Sequence, residues 1–193
     1  MYKIGRFICW VYCSFFIRLR VTGKENIPKK GGFIIASNHV SNLDPVILGF
    51  SCPRNLNFMA KEELFRNPVF GRIIYSVGAF PVKRKNADIS ALKEAIKRTS
   101  SGKGLVLFPE GSRSNGVELR PPEAGIGFIA AKAGVPVIPA FIKGTDDALP
   151  KGSKAMKTAD VSVVFGKQIF IEKKASYQEA ANLIMKSVAQ LAG

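Results

Sequence analysis

His39 and Asp44 stand five positions apart in the stretch Asn38-His39-Val40-Ser41-Asn42-Leu43-Asp44-Pro45, and His39 is the only histidine among 193 residues. Imidazole is the side chain whose ordinary pKa lies nearest neutrality, which makes it the natural general base. A carboxylate on its second ring nitrogen would fix the tautomer and stabilise the imidazolium formed on proton uptake. Residues at this separation point in different directions on one regular helix. A turn leading into a helix brings them together, and Asn38, Ser41 and Asn42 favour such a turn. Asp44-Pro45 also reads as a helix start, with Asp as N-cap and Pro at the first helical position. Two readings stand on this spacing alone: a base with its orienting carboxylate, or a loop histidine beside a helix cap.

Further charged groups follow apolar runs. Phe108-Pro109-Glu110-Gly111-Ser112-Arg113-Ser114 joins a carboxylate and a guanidinium across a glycine turn, and the planar fork of arginine suits phosphate. Lys83 and Arg84 close the run from Gly78, and Lys61 follows Leu56–Ala60. The competing readings are a surface turn with an internal Glu–Arg pair and strands ending in solvated charge. Other catalytic signatures are missing: no GxSxG elbow, no Walker A loop, no HExxH. Gly125, Gly127 and Ala130 match the letters of a dinucleotide fingerprint, with Asp146 downstream. Leu119-Arg120-Pro121-Pro122 precedes them instead of a strand, so they read as small residues that let a helix pack closely. Cys9, Cys13 and Cys52 form no CxxC pair, and with one histidine they make no zinc cluster. An odd number of cysteines points to a reducing compartment.

The elements that must position these groups are legible as alternating runs. Phe33–Ser37, Leu56–Ala60, Ala79–Lys83, Leu105–Pro109, Val137–Ile142 and Val161–Phe165 read as strands, several without alternation and so buried on both faces. Helices are expected from Asp44, over Ser90–Ser101, over Pro122–Ala133, and after the Ser176–Glu179 capping box. Asp146–Ala159 reads as a surface loop. The pattern predicts a single-domain α/β sandwich with a mostly parallel or mixed sheet. In such a sheet ligands bind outside the carboxyl ends of the strands. His39, Lys61, Arg84, Glu110 and Arg113 all follow strands, so one edge would gather a base and several cations suited to an anionic substrate.

Lys+Arg is 29 against Asp+Glu 14, a formal net charge of +15. The chain is therefore drawn to polyanions: anionic lipid, phosphorylated small molecules or nucleic acid. Residues 1–20 hold an apolar core, Phe7–Ile17, flanked by Lys3, Arg6, Arg18 and Arg20. The run is too short to span a bilayer, and no small-residue cleavage site follows it. Trp10, Tyr12, Phe15 and Phe16 with basic ends predict an interfacial helix over 1–20, ahead of an α/β domain over 21–193, with a buried core helix or a truncated transmembrane segment as the alternatives. An anionic membrane surface is the expected partner. The aromatic-and-basic interleaving of a single-strand nucleic-acid platform is missing.

In combination these blocks resemble the glycerolipid acyltransferase family, most closely the 1-acylglycerol-3-phosphate acyltransferases. Asn38-His39-x4-Asp44, Gly78–Arg84, Phe108–Ser114 and Val135–Pro139 match in order, with supporting stretches at Gly23–Pro28 and Ala60–Leu64. The resemblance covers about residues 21–145, and Ser112 stands where the family usually has threonine. It implies transfer of a fatty acyl group from acyl-CoA or acyl carrier protein to the sn-2 hydroxyl of lysophosphatidic acid, giving phosphatidic acid. It implies neither metal nor cofactor, and no acyl-enzyme. His39 would be the base and Asp44 its orienting partner. Arg84, Glu110, Gly111 and Arg113 would bind the glycerol-phosphate end, with Lys61 a further phosphate ligand. The implied location is the cytoplasmic face of a membrane, peripheral or monotopic, as at a bacterial inner membrane. A relative with another acceptor, such as glycerol-3-phosphate, and a non-catalytic basic membrane-binding module are the alternatives.

Overall fold

The structure, a computed structural model, describes residues 11, 13–83, 88–114, 119–153, 155–172 and 174–193. Its strands are β1 (Ile17–Thr22), β2 (Phe33–Ser37), β3 (Leu56–Lys61), β4 (Ala79–Val82), β5 (Gly104–Leu107), β6 (Val137–Lys143) and β7 (Ala159–Phe165). Its helices are α1 (Asp44–Ser51), α2 (Pro68–Ser76), α3 (Ile89–Ser100), α4 (Ala124–Ala133), the single turn α5 (Thr145–Ala148) and α6 (Tyr177–Ala189). The sheet order is β1-β7-β6-β2-β5-β3-β4. From β6 to β4 the strands run parallel; β7 joins β6 antiparallel, and β1 pairs with β7 in parallel. The expected α/β sandwich with a mixed, mostly parallel sheet is the observed one.

The two central strands explain their own sequences. Every residue of β2 (Phe33-Ile34-Ile35-Ala36-Ser37) and of β5 (Gly104-Leu105-Val106-Leu107) is buried, as a strand covered on both faces requires. Ile35 and Val106 join α1 residues Ile47 and Leu48 on one face. Ile34 and Leu105 join Ile129 of α4 and Ile184 of α6 on the other. Each such side chain contributes about 1.5–3 kcal/mol by leaving water. The result is three layers, with the ends of the parallel strands exposed along one edge. Gly127 sits where α4 crosses α6: a Cβ there would collide with the Tyr177 carbonyl oxygen. Gly127 is thus the close-packing residue of the G-x-G-x-x-A letters, whereas a Cβ on Gly125 meets nothing within 4 Å.

Three features depart from the sequence reading. The expected helix over 1–20 lies largely outside the described residues, and its last part is not helical: Ile17–Thr22 is strand β1. Ile-Arg-Leu-Arg-Val-Thr alternates with period two, so its apolar side chains face inward while Arg18 and Arg20 remain exposed on an edge strand. Helix α2 was not expected, yet Asn67 caps it through Val69 and Phe70 N–H and Pro68 opens it. Thr145–Ala148, which runs into the start of the expected surface loop, is a helical turn that buries Thr145 and Ala148 and is entered through Gly144 at φ +85°. No helix among the described residues is long and apolar enough to cross a membrane.

Candidate active site

Strand β2 delivers Asn38 and His39 to the edge where the parallel strands end. Asn38 extends the sheet through its side chain: its amide donates to Ile142 O and accepts from Ile142 N–H, both at 2.8 Å. His39 follows immediately and is held at both backbone atoms. Its N–H donates to Glu110 Oε1 at 3.0 Å, and its carbonyl accepts the Ser114 N–H at 2.8 Å. The imidazole stacks on Phe108 with centroids 4.0 Å apart and planes 17° from parallel. The stretch after β5 therefore holds His39 by its backbone and by its ring.

The chain then turns through Val40–Leu43 into α1, bringing Asp44 back beneath the ring. His39 Nδ1 lies 2.7 Å from Asp44 Oδ2. An ionised carboxylate only accepts, so Nδ1 carries the proton and Nε2 presents a lone pair. No described residue hydrogen-bonds Nε2. Asp44 is fully buried, and the same Oδ2 accepts the N–H groups of Val40 (2.7 Å) and Ser41 (2.8 Å). Oδ1 accepts the Thr145 hydroxyl. The expected N-cap role fails: Leu43 holds the N-cap position, Asp44 is the first helical residue, and its oxygens take donors from the turn before it. Four donors converge on this carboxylate to hold it in one orientation, which is the arrangement a histidine base needs.

The remaining candidates divide. Glu110 is buried, and both oxygens are taken by backbone, Oε1 by His39 and Oε2 by the Arg120 N–H at 3.0 Å. Its task here is to tie the β5 loop to the base. Gly111 adopts φ +64°, where a Cβ would press on Glu123, so the loop needs glycine at that point. Arg113 is half-buried beyond β5, and Lys61 is exposed at the end of β3. Arg84 lies outside the described residues. Thr145 is a site residue that sequence reasoning missed, and the sheet-extending role of Asn38 and the stacking role of Phe108, both within the matched blocks, were not foreseen. Thr145 is 101 residues from Asp44, and no local pattern pairs them.

Beside the dyad lies an apolar groove of about 260 Å³. Val46 and Phe50 of α1, Phe58 of β3 and Phe70 and Ile74 of α2 line it, and Phe108 closes the end toward His39. On the other side of the His39 turn, a polar recess of about 480 Å³ is bordered by Val40, Ser114, Asp146, Asp147, Lys151 and Lys157. One nitrogen base thus stands between an apolar slot and a charged recess. The slot suits a reactant with an apolar chain, and the recess carries charges of both signs, two carboxylates and two amines.

Comparison with known proteins gives the same direction. A family model described as Acyltransferase matches residues 18–143. The 1-acyl-sn-glycerol-3-phosphate acyltransferase of Bacillus subtilis (strain 168) is 32% identical over 170 residues, covering 88% of this chain and 82% of that protein. The chloroplastic enzyme BAT2 of Brassica napus, of the same name, is 33% identical over 195 residues, 96% of this chain and 56% of that protein. This chain therefore spans little more than half of some relatives. The crystal structure of the 1-acyl-sn-glycerophosphate (LPA) acyltransferase, PlsC, from Thermotoga maritima superposes with a TM-score of 0.81 at 27% identity, covering 98% of this chain and 78% of that one.

Proposed function

The chain belongs to the acyltransferase family, and from that premise we propose that it transfers a fatty acyl group from an acyl thioester to the sn-2 hydroxyl of lysophosphatidic acid, giving phosphatidic acid. The observation that carries the reading is the single histidine, with Nδ1 held by a buried carboxylate, Nε2 hydrogen-bonded by no described residue, and an apolar groove one aromatic ring away. Nε2 takes the proton of the acceptor hydroxyl as its oxygen attacks the thioester carbonyl. The C–O bond forms, the C–S bond breaks, and the leaving thiolate receives the proton from Nε2. Asp44 stabilises the imidazolium between those events and keeps the ring aimed. Proton transfer by a positioned base supplies about 10²–10⁴-fold. The sequence of steps needs no acyl-enzyme and no metal.

The groove between α1 and α2 takes the acyl chain, with Phe108 placing its thioester end near His39. Arg113 and Lys61, at the ends of neighbouring strands, serve the acceptor phosphate, with Arg84 a further ligand beyond β4. Glu110 and Gly111 act by shaping this loop. Acyl-CoA and acyl carrier protein both fit the donor role, and the work is done at an anionic membrane surface. A binding module would have no use for four donors fixing one buried carboxylate under a histidine.

The test is thiol release from an acyl-CoA and from acyl carrier protein, with lysophosphatidic acid or glycerol-3-phosphate as acceptor. Release that requires lysophosphatidic acid is the expected result. Release with glycerol-3-phosphate alone would reassign the acceptor, and silence with every pair would refute the reading.

A further inference from the structure

Helix α2 carries an apolar face that no described residue covers. Val69 is 69% exposed and Ile73, one turn later, 54%. Residues four apart on a helix share one side, so the two form a continuous stripe. The stripe continues onto Phe70 and Leu64, 46% and 43% exposed. Both of these also line the groove beside His39, so the exposed face and the groove share a wall. Arg66 and Arg72 flank the stripe and Lys61 stands at the preceding strand end, all exposed, against Glu62 and Glu63 in the intervening turn.

We propose that this face of α2 is a membrane-docking surface, seated on anionic phospholipid, and that the groove opens there into the acyl-chain layer. Apolar side chains on one side with basic flanks are the pattern of an interfacial helix. The charge favours lipid over a second copy of this chain: two molecules of net charge +15 repel, whereas an anionic lipid layer attracts. The topology agrees. Parallel strands β6 to β4 end at the edge bearing His39, and β1, running opposite to them, begins at that same edge with Ile17. The start of β1 and the start of α2, which leaves the end of β3 and leads back to β4, therefore lie at the two lateral ends of one edge. A bilayer touching both would face the catalytic loops between them, and an acyl chain would reach the groove without crossing water.

The identification of the lipid rests on the proposed function, but binding is measured without turnover, so the two fail separately. The full chain is tested for co-sedimentation with phosphatidylglycerol and phosphatidylcholine vesicles, as wild type, Val69→Ser/Ile73→Ser and Arg66→Glu/Arg72→Glu. Neither pair lines the groove. Both variants are expected to melt like wild type and to bind phosphatidylglycerol vesicles about tenfold more weakly, because apolar contact and charge each contribute to interfacial affinity. Thiol release with detergent-dispersed lysolipid should stay within about twofold of wild type, since surface changes away from the site are near neutral. Undiminished vesicle binding in both variants would overturn the proposal. So would a wild-type dimer in sedimentation that the apolar variant abolishes.

Discussion

At the residue scale the site depends on how Asp44 is held. Three donors share Oδ2 and the Thr145 hydroxyl takes Oδ1. In Asp44→Asn, a carbonyl oxygen in the place of Oδ2 keeps the three donors, and the new amide donates to Thr145 once its hydroxyl turns. The shape survives and the charge is lost. Turnover should fall on the order of 10³–10⁴-fold, because the imidazolium loses its counter-charge, while circular dichroism stays native. Near-normal turnover would remove Asp44 from the mechanism. Thr145→Val leaves Oδ1 buried without a partner, at a cost of about 1–3 kcal/mol. It should lower kcat with little change in KM, and Thr145→Ser should restore both; stability loss without a kcat effect would make Thr145 merely structural. The dyad was legible because its members sit within one turn of chain. Thr145 and Phe108 were not, because only the packing of β5 and β6 beside β2 brings them near.

At the element scale the sequence was most informative where burial is complete. Strands β2 and β5 are continuous apolar runs because helices cover both faces. Ser176 and Glu179 form the expected capping box at the start of α6. Strand β1 was obscured because its alternation follows directly on an apolar run, and a helical reading of that run extends naturally through Arg20. Helix α2 was obscured because its apolar residues face outward and toward the groove, so its pattern is not that of a core-facing helix. The α4–α6 crossing supplies a direct check. A Cβ on Gly127 meets the Tyr177 backbone, whereas one on Gly125 meets nothing within 4 Å. Gly127→Ala should destabilise by about 1–3 kcal/mol through overpacking. Gly125→Ala should be neutral or stabilise by about 0.4–1 kcal/mol. Equal denaturation midpoints for the two would contradict the close crossing.

At the scale of the whole molecule, the parallel strands bring a base, a carboxylate clamp and a set of cations to one edge, and two helices leave an apolar slot beside them. The general rule for open α/β sheets located that edge from sequence. It did not reveal the slot, which exists only between the faces of α1 and α2. Nor did the net charge of +15 indicate where an anionic surface would meet the fold. The central claim is that this edge performs acyl transfer through His39. Its most direct test is lysophosphatidic-acid-dependent thiol release from acyl-CoA or acyl carrier protein, compared between wild type and His39→Ala, with native folding of the variant verified by circular dichroism. Loss of at least about 10²-fold in kcat is the expected result for removal of a general base. A folded His39→Ala protein that releases thiol at the wild-type rate would contradict the account.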